Sequence, residues 1–99
     1  MMRPFSPNPG STVSIAATTA SASVAVATGQ DKASAVRVYN AGPSGVRVRW
    51  GVGAQTAVAG DVLVPAGAVE VFSKGGADTI AAKCDSGTAT VEFTTGEGL

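Results

Sequence analysis

The chain has no histidine, a single cysteine and few charges. Its 99 residues include seven Lys or Arg and seven Asp or Glu, so the formal net charge is zero. The absence of histidine removes the commonest general base and the commonest zinc ligand. Cys84 cannot form an intrachain disulfide, and with no histidine to activate it we expect a small buried or half-buried side chain rather than a nucleophile. We therefore predict no catalytic residue, no metal site and no cofactor.

Basic surface and long apolar runs are also missing. A neutral chain argues against binding to nucleic acid or to an anionic membrane, which needs a positive surface. Residues 4–30 carry no charge, but Ser, Thr and Gly interrupt every apolar stretch, so a span of about 20 apolar residues is absent. The N-terminal "MMRPFSPNPGS" has prolines where an export signal would have an apolar run. We expect a soluble protein, made in the cytoplasm, whose partner is another protein.

Leucine, isoleucine and aromatic residues are scarce, whereas valine, threonine and alanine are abundant. The chain has two Leu and two Ile against fourteen Val and ten Thr, and only five aromatic residues. β-Branched residues favour strands, so this composition predicts an all-β protein. Eighteen alanines indicate a thin core, and we expect contacts between subunits to contribute to its stability.

Short alternating runs separated by turn residues predict about eight strands. Such spacing is typical of an antiparallel β-sandwich, either jelly-roll or immunoglobulin-like, and we assign it to a domain over residues 12–99. The strands are predicted at 12–17, 22–28, 34–40, 45–52, 61–64, 68–73, 78–83 and 88–94. Alternation places these side chains inward: Val36, Val38, Val46, Val48, Trp50, Val69, Val71, Val91 and Phe93.

Residues 1–11 are predicted to form an extended arm. Pro4, Pro7 and Pro9 remove backbone donors and disfavour helix in the residues before them, so we expect this segment to stay outside the sheets. Two interpretations remain open. The segment is either a frayed terminus or an arm that lies on a neighbouring subunit, with Phe5 as its apolar anchor.

The stretch "VRVRWGVG", residues 46–53, raises two functional alternatives. Gly51 and Gly53 lack the third glycine and the following helix of a dinucleotide-binding loop, so we interpret residues 53–60 as a crossing loop. Trp50 shares the valine face and is expected in the core. Tyr39 is the only aromatic with outward parity, whereas a carbohydrate platform usually presents several.

The arginines of neighbouring runs are the other feature of this region. If residues 34–40 and 45–52 form a hairpin, Arg37 faces Arg47 or Arg49, and like charges opposite each other are destabilising. We expect Glu70, Glu92 or an acidic partner surface to intervene, with phosphate or sugar binding as a further alternative. The candidate interface residues are Arg3, Pro4, Phe5, Pro7, Pro9, Arg37, Arg47 and Arg49.

Residues 34–99 resemble a type of small virion protein of tailed bacteriophages. The resemblance is carried by a strand ending in "N" plus a small residue, a "VRWG" strand, "LVPAG" before a strand ending in "F", then "IAA" and a closing "TGEG". It implies a structural role in the virion, with a small β-sandwich repeated on a capsid or tail. Taken with the neutral charge, the thin core and the extended arm, it leads us to expect a capsid decoration or cement protein. The expected partners are the major capsid protein and further copies of the chain in a homotrimer on the capsid surface. A head-fibre, spike or tail component is the alternative within virions, and a host-surface or carbohydrate-binding module is the alternative outside them.

Overall fold

The structure is a computed structural model that describes residues 4–28 and 33–98. Within these residues there are nine strands and no helix, which confirms the all-β prediction. Each of the eight predicted strands overlaps an observed one. The strands are β1 (Ser6–Pro7), β2 (Val13–Ala17), β3 (Ala22–Ala25), β4 (Ala35–Pro43), β5 (Val46–Gly51), β6 (Val62–Val64), β7 (Val69–Ser73), β8 (Thr79–Lys83) and β9 (Ala89–Glu97).

The strands form two antiparallel sheets that pack as a β-sandwich. The five-stranded sheet has the order β7-β4-β9, with β2 and β1 both pairing along the far edge of β9. The four-stranded sheet has the order β3-β8-β5-β6. The chain thus pairs β2 with β9, β3 with β8, β4 with β7 and β5 with β6, as in a two-stranded ribbon wound around a core. This is the jelly-roll arrangement of two Greek keys, not the immunoglobulin-like one.

The core lies between the sheets and is built mainly from valine. Val36, Val38, Val46, Val48 and Val91 are at most 2% exposed. Phe93 of β9 is the largest fully buried side chain, with Ile80 of β8 beside the valines in the same cluster. The inward positions predicted on β4, β5 and β9 are therefore correct.

The predicted face of β7 is wrong. Phe72 pairs with Val36, so Phe72 shares the inward face and Val69 and Val71 lie on the outer face. Val69 is 46% exposed. Phe72 packs against Trp50 of the opposite sheet with ring centroids 4.9 Å apart, and Trp50 contributes to the core at its half-buried margin.

The hairpin expected between β4 and β5 does not form, because the two strands belong to different sheets. β4 continues to Pro43, and its register against β9 shifts between Asn40 and Pro43. The chain then crosses to the four-stranded sheet, where β5 pairs with β6 and β8. Arg37 therefore never faces Arg47 or Arg49, and the like-charge problem inferred from the sequence does not arise.

The N-terminal segment is partly paired, contrary to expectation. Ser6 pairs with Glu97 and Pro7 with Gly96, so β1 extends the edge formed by β2. A proline is tolerated here because an edge strand has one side on which the missing N–H is not needed.

Candidate interaction surfaces

The arm rests on the end of β9 of its own chain. A side chain at Gly96 would collide with the Ser6 carbonyl oxygen and approach the Phe5 ring to 2.9 Å, so glycine permits this close contact. The Asn8 N–H donates to the Thr95 carbonyl at 2.9 Å, and the Ser11 hydroxyl donates to the same carbonyl at 3.1 Å. The sequence offered no sign of these contacts, because each depends on the distant strand β9.

The candidate residues of the arm differ in exposure. Phe5 is half-buried against β9, while Pro4, Pro7 and Pro9 are exposed. Arg3 lies outside the described residues. A cleft of about 160 Å³ separates the arm from the end of β9 and is lined by Pro4, Ser6, Glu97 and Gly98. The arm thus presents its prolines outward and its one aromatic ring toward its own sheet.

Arg47 and Arg49 both form ion pairs within the chain. Arg47 Nη2 lies 2.9 Å from Asp85 Oδ2, and Arg49 Nε lies 3.1 Å from Asp61 Oδ2. Arg47 also donates to the main-chain carbonyl of Asp61 at 3.2 Å. These two arginines therefore have partners within the chain, which was one of the alternatives predicted from the sequence. The partners are aspartates, however, and not Glu70 or Glu92.

The ion pairs shift the pKa of the groups involved. The side-chain hydrogen bond with Asp85 raises the pKa of Arg47, and the same bond lowers the pKa of Asp85. The pKa of Asp61 is lowered first by the N–H of Val58, which donates to its carboxylate at 2.8 Å, and then by Arg49. All three groups are therefore held in their charged forms at neutral pH.

These contacts hold the long connection between β5 and β6 against the outer face of the four-stranded sheet. The Gly53 N–H donates to Asp78 Oδ1 at 3.1 Å, and the Ala57 N–H donates to the Ser21 hydroxyl at 2.9 Å. Ala81 of β8 faces outward opposite Arg49, yet it is fully buried. The segment predicted as a crossing loop, residues 53–60, does connect β5 to β6 and is hydrogen-bonded to the rest of the fold through Gly53 and Ala57.

The environment of Arg37 differs from that of Arg47 and Arg49. Arg37 lies on the outer face of the five-stranded sheet, between Val71 of β7 and Thr94 of β9. Its guanidinium carbon lies 6.0 Å from the centre of the Tyr39 ring, a cation–π contact. Among the described residues no carboxylate lies within ion-pair distance of Arg37, although Glu92 occupies the neighbouring position beside Tyr39.

Exposed apolar side chains lie on β6 and β7, which are edge strands of the two sheets. Val62 and Leu63 of β6 are each 44% exposed, close to the value for Val69 of β7. Val58 in the preceding connection is also exposed. Sequence reasoning missed these exposed residues because alternation alone did not reveal which strands end each sheet.

Polar groups in the interior are few. Lys74 is 5% exposed, its Nζ donates to the Ala77 carbonyl at 2.7 Å, and burial lowers its pKa. Cys84 is fully buried, as predicted, and burial raises the pKa of its thiol. Asn40 is fully buried with its amide bonded on both sides, and Thr95 is fully buried with no partner for its hydroxyl among the described residues.

Comparison with protein-family models, curated proteins and solved structures found no match to this chain. Across residues 4–28 and 33–98, no group of three or more His, Cys, Asp or Glu side chains could hold a metal ion. The same residues include no helix that is both long and apolar enough to cross a membrane.

Proposed function

We propose that this chain is a structural protein of a tailed-bacteriophage virion, most specifically a capsid decoration or cement protein that binds the outer shell. The observation that carries the proposal is that the two edge strands β6 and β7 carry exposed apolar side chains, namely Val62, Leu63 and Val69. Unpaired strand edges with apolar side chains are a liability unless a partner covers them. A protein that works in an assembly has such partners.

The fold and the resemblance support the proposal at different levels. Jelly rolls occur in viral capsid proteins, lectins and cupins, so the topology alone leaves several functions open. The resemblance over residues 34–99 favours the virion among them. A small contact of under about 1,200 Å² is weak by itself, and repetition of the contact over a shell provides avidity.

We propose further that the chain acts as a homotrimer whose second partner is the major capsid protein. A core drawn largely from valine and alanine gains less burial energy than one rich in leucine and aromatics, and association offsets this. Analytical ultracentrifugation at micromolar concentration tests the proposed homotrimer. We expect a trimer whose melting temperature rises with concentration; a 9.7 kDa monomer with a concentration-independent melting temperature would overturn this part of the proposal.

Copy number on purified particles tests the virion location. Quantitative mass spectrometry of particles from the phage that encodes the chain should find hundreds of copies, as a decoration protein requires. A dozen or fewer would favour the head-fibre, spike or tail alternative, and absence from the particle would overturn the virion proposal.

A carbohydrate-binding module finds little support in the described surface. Tyr39, the aromatic considered for such a role, is half-buried and has Arg37 over its ring. Stacking of a sugar needs an open aromatic face. Glycan-array binding that is lost in Tyr39→Ala would be the result that revives this alternative.

A further inference from the structure

We infer that the free edge of β7, together with Arg37, binds an extended segment of the capsid protein as an added strand, with a carboxylate of that segment on Arg37. The inference rests on the proposed function for the identity of the partner. It rests on the structure for the position of the contact, the direction of the free backbone groups and the charge of the segment.

The hydrogen bonds at both ends of β7 fix which of its backbone groups face β4. The Lys74 N–H donates to the Ser34 carbonyl at 2.8 Å, and the Asn40 N–H donates to the Ala68 carbonyl at 3.1 Å. In an antiparallel pair, hydrogen-bonded positions alternate with positions whose backbone groups point away. The register between these two ends places Phe72 and Glu70 at the bonded positions, opposite Val36 and Val38.

The intervening residues of β7 therefore direct their N–H and C=O groups away from the sheet. These residues are Val69, Val71 and Ser73, and no strand of the described chain pairs with them on that side. The strand contains no proline and no lysine, which often protect such edges. An extended segment that pairs with this edge would form backbone hydrogen bonds with Val69, Val71 and Ser73. This is the contact used in strand addition.

The charges next to this edge select the segment. Arg47 and Arg49 are ion-paired to aspartates on the other sheet, whereas Arg37 has no ion pair among the described residues. Arg37 lies beside Val71 in the sheet, on the same outer face. An added strand would lie about 10 Å from β4, because it would be two strand spacings away. An arginine and a glutamate side chain together span that distance, so a glutamate of the added strand could reach Arg37 across Val71.

Glu70 determines the chemistry on the other face of the added strand. It is exposed and points to the opposite side of β7 from Val71. A carboxylate of the segment on that side would be repelled by Glu70. The fitting segment therefore alternates, with an acidic side chain on the Arg37 face and apolar or basic side chains on the Glu70 face.

Hydrogen exchange measured by mass spectrometry tests the position of the contact. The free protein and the protein bound to particles of the encoding phage are compared over residues 69–73. We expect the amides of Val69, Val71 and Ser73 to become protected on the particle. The free protein is also measured at increasing concentration, because protection that arises there would assign the β7 edge to self-association and overturn the inference.

Two pairs of variants test the chemistry through particle affinity. Val71→Pro removes a free N–H without breaking a bond to β4, so it should weaken binding to the particle. The matched Glu70→Pro removes an N–H that is bonded to β4, so it should lower the stability of the fold. Arg37→Gln should weaken binding about tenfold or more, since it removes a charge-assisted contact. The matched Arg47→Gln, on the other sheet, should leave affinity within about twofold, as expected of a residue outside the contact.

The outcomes separate this inference from the proposed function. Particle binding with an unprotected β7 edge, or with full affinity in Arg37→Gln, overturns the inference and leaves the virion role standing. Absence of any particle binding overturns both. Protection at residues 69–73 together with weakened binding by Val71→Pro and Arg37→Gln supports the strand-addition contact.

Discussion

The side-chain amide of Asn40, in the five-stranded sheet, donates a 2.9 Å hydrogen bond to the main-chain carbonyl of Val64, in the four-stranded sheet. The same amide nitrogen donates to the Ser44 carbonyl at 2.9 Å, and its oxygen accepts the Gly42 N–H at 2.8 Å. One fully buried side chain thus satisfies three backbone groups at the point where the chain leaves one sheet for the other. These bonds stabilise the segment in which β4 crosses to the other sheet instead of turning back as a hairpin.

Replacing Asn40 should be costly. Asn40→Leu leaves the buried Gly42 N–H, the buried Val64 carbonyl and the partly buried Ser44 carbonyl without this partner. We expect the free energy of unfolding to fall by about 3 kcal/mol, since each unmet buried group costs about 1–3 kcal/mol. Urea denaturation measures this change in the free energy of unfolding. Ala41→Leu at the neighbouring exposed position is the control and should stay within about 0.5 kcal/mol of wild type. A loss below about 1 kcal/mol in Asn40→Leu would contradict the role assigned to the amide.

Thr95 should behave in the opposite way. Its hydroxyl is fully buried with no partner among the described residues, so Thr95→Val removes an unsatisfied polar group while keeping the shape. We expect a gain of up to about 1 kcal/mol in the free energy of unfolding.

The neighbouring threonine provides the matched control. The Thr94 hydroxyl lies 2.8 Å from the Thr12 hydroxyl, so Thr94→Val breaks a hydrogen bond and should lower stability by about 1 kcal/mol. Equal effects of the two substitutions in thermal denaturation would show that the Thr95 hydroxyl has a partner in solution.

The sequence predicted the strands better than their arrangement. Alternation with a period of two is a local property, so β4, β5, β8 and β9 were found close to their observed bounds. The assignment of strands to sheets depends on pairing between distant residues, and there the nearest-neighbour hairpin was the wrong choice. At β7 the valines at two alternate positions suggested the core, but the pairing of Phe72 with Val36 places them outside.

The interaction surfaces were predictable only in part. Arginines without local acidic partners pointed to contacts beyond their own strand, and this was correct for Arg47 and Arg49. Asp61 and Asp85 could not be named as the partners, because they lie 12 and 38 residues away from the arginines in the chain. Arg37 has no ion pair among the described residues, and this too depends on which strands pair, which the sequence did not reveal.

Gly96 should control the position of the arm. A methyl group there would collide with the Ser6 carbonyl and the Phe5 ring, so Gly96→Ala should release β1 while the sandwich stays folded. We expect faster hydrogen exchange at Asn8, whose N–H donates to Thr95, and chymotrypsin cleavage after Phe5. The control is Gly76→Ala, because an added methyl at Gly76 meets nothing within 4 Å. An arm that stays protected in Gly96→Ala would show that β9 can shift to accommodate the methyl group.

Asp61 should make the stability of the β5–β6 connection depend on pH. Its pKa is lowered in the fold, first by the Val58 N–H and then by Arg49. A carboxyl whose folded pKa is depressed stabilises the protein above its ordinary pKa, and this contribution is lost as pH falls through the folded value. Wild type should therefore be more stable than Asp61→Asn at neutral pH, and the difference should shrink below about pH 4.

Salt separates the two causes of the Asp61 shift. The Arg49 contact is half-exposed, with 41% of that side chain accessible, so 1 M NaCl should screen it, whereas the hydrogen bond from Val58 should persist. Asp85→Asn is the control, because the pKa of Asp85 is lowered first by its bond to Arg47, and 52% of the Asp85 side chain is accessible. At neutral pH we expect Asp85→Asn to lower the free energy of unfolding by less than Asp61→Asn does. This smaller loss should largely disappear in high salt. Urea denaturation of the three proteins across pH, at low and high salt, measures both effects. If the Asp61→Asn difference vanished in salt as completely as that of Asp85→Asn, the charge of Asp61 would act through Arg49 alone, and not through a stronger hydrogen bond from the Val58 N–H, which an asparagine oxygen can also accept.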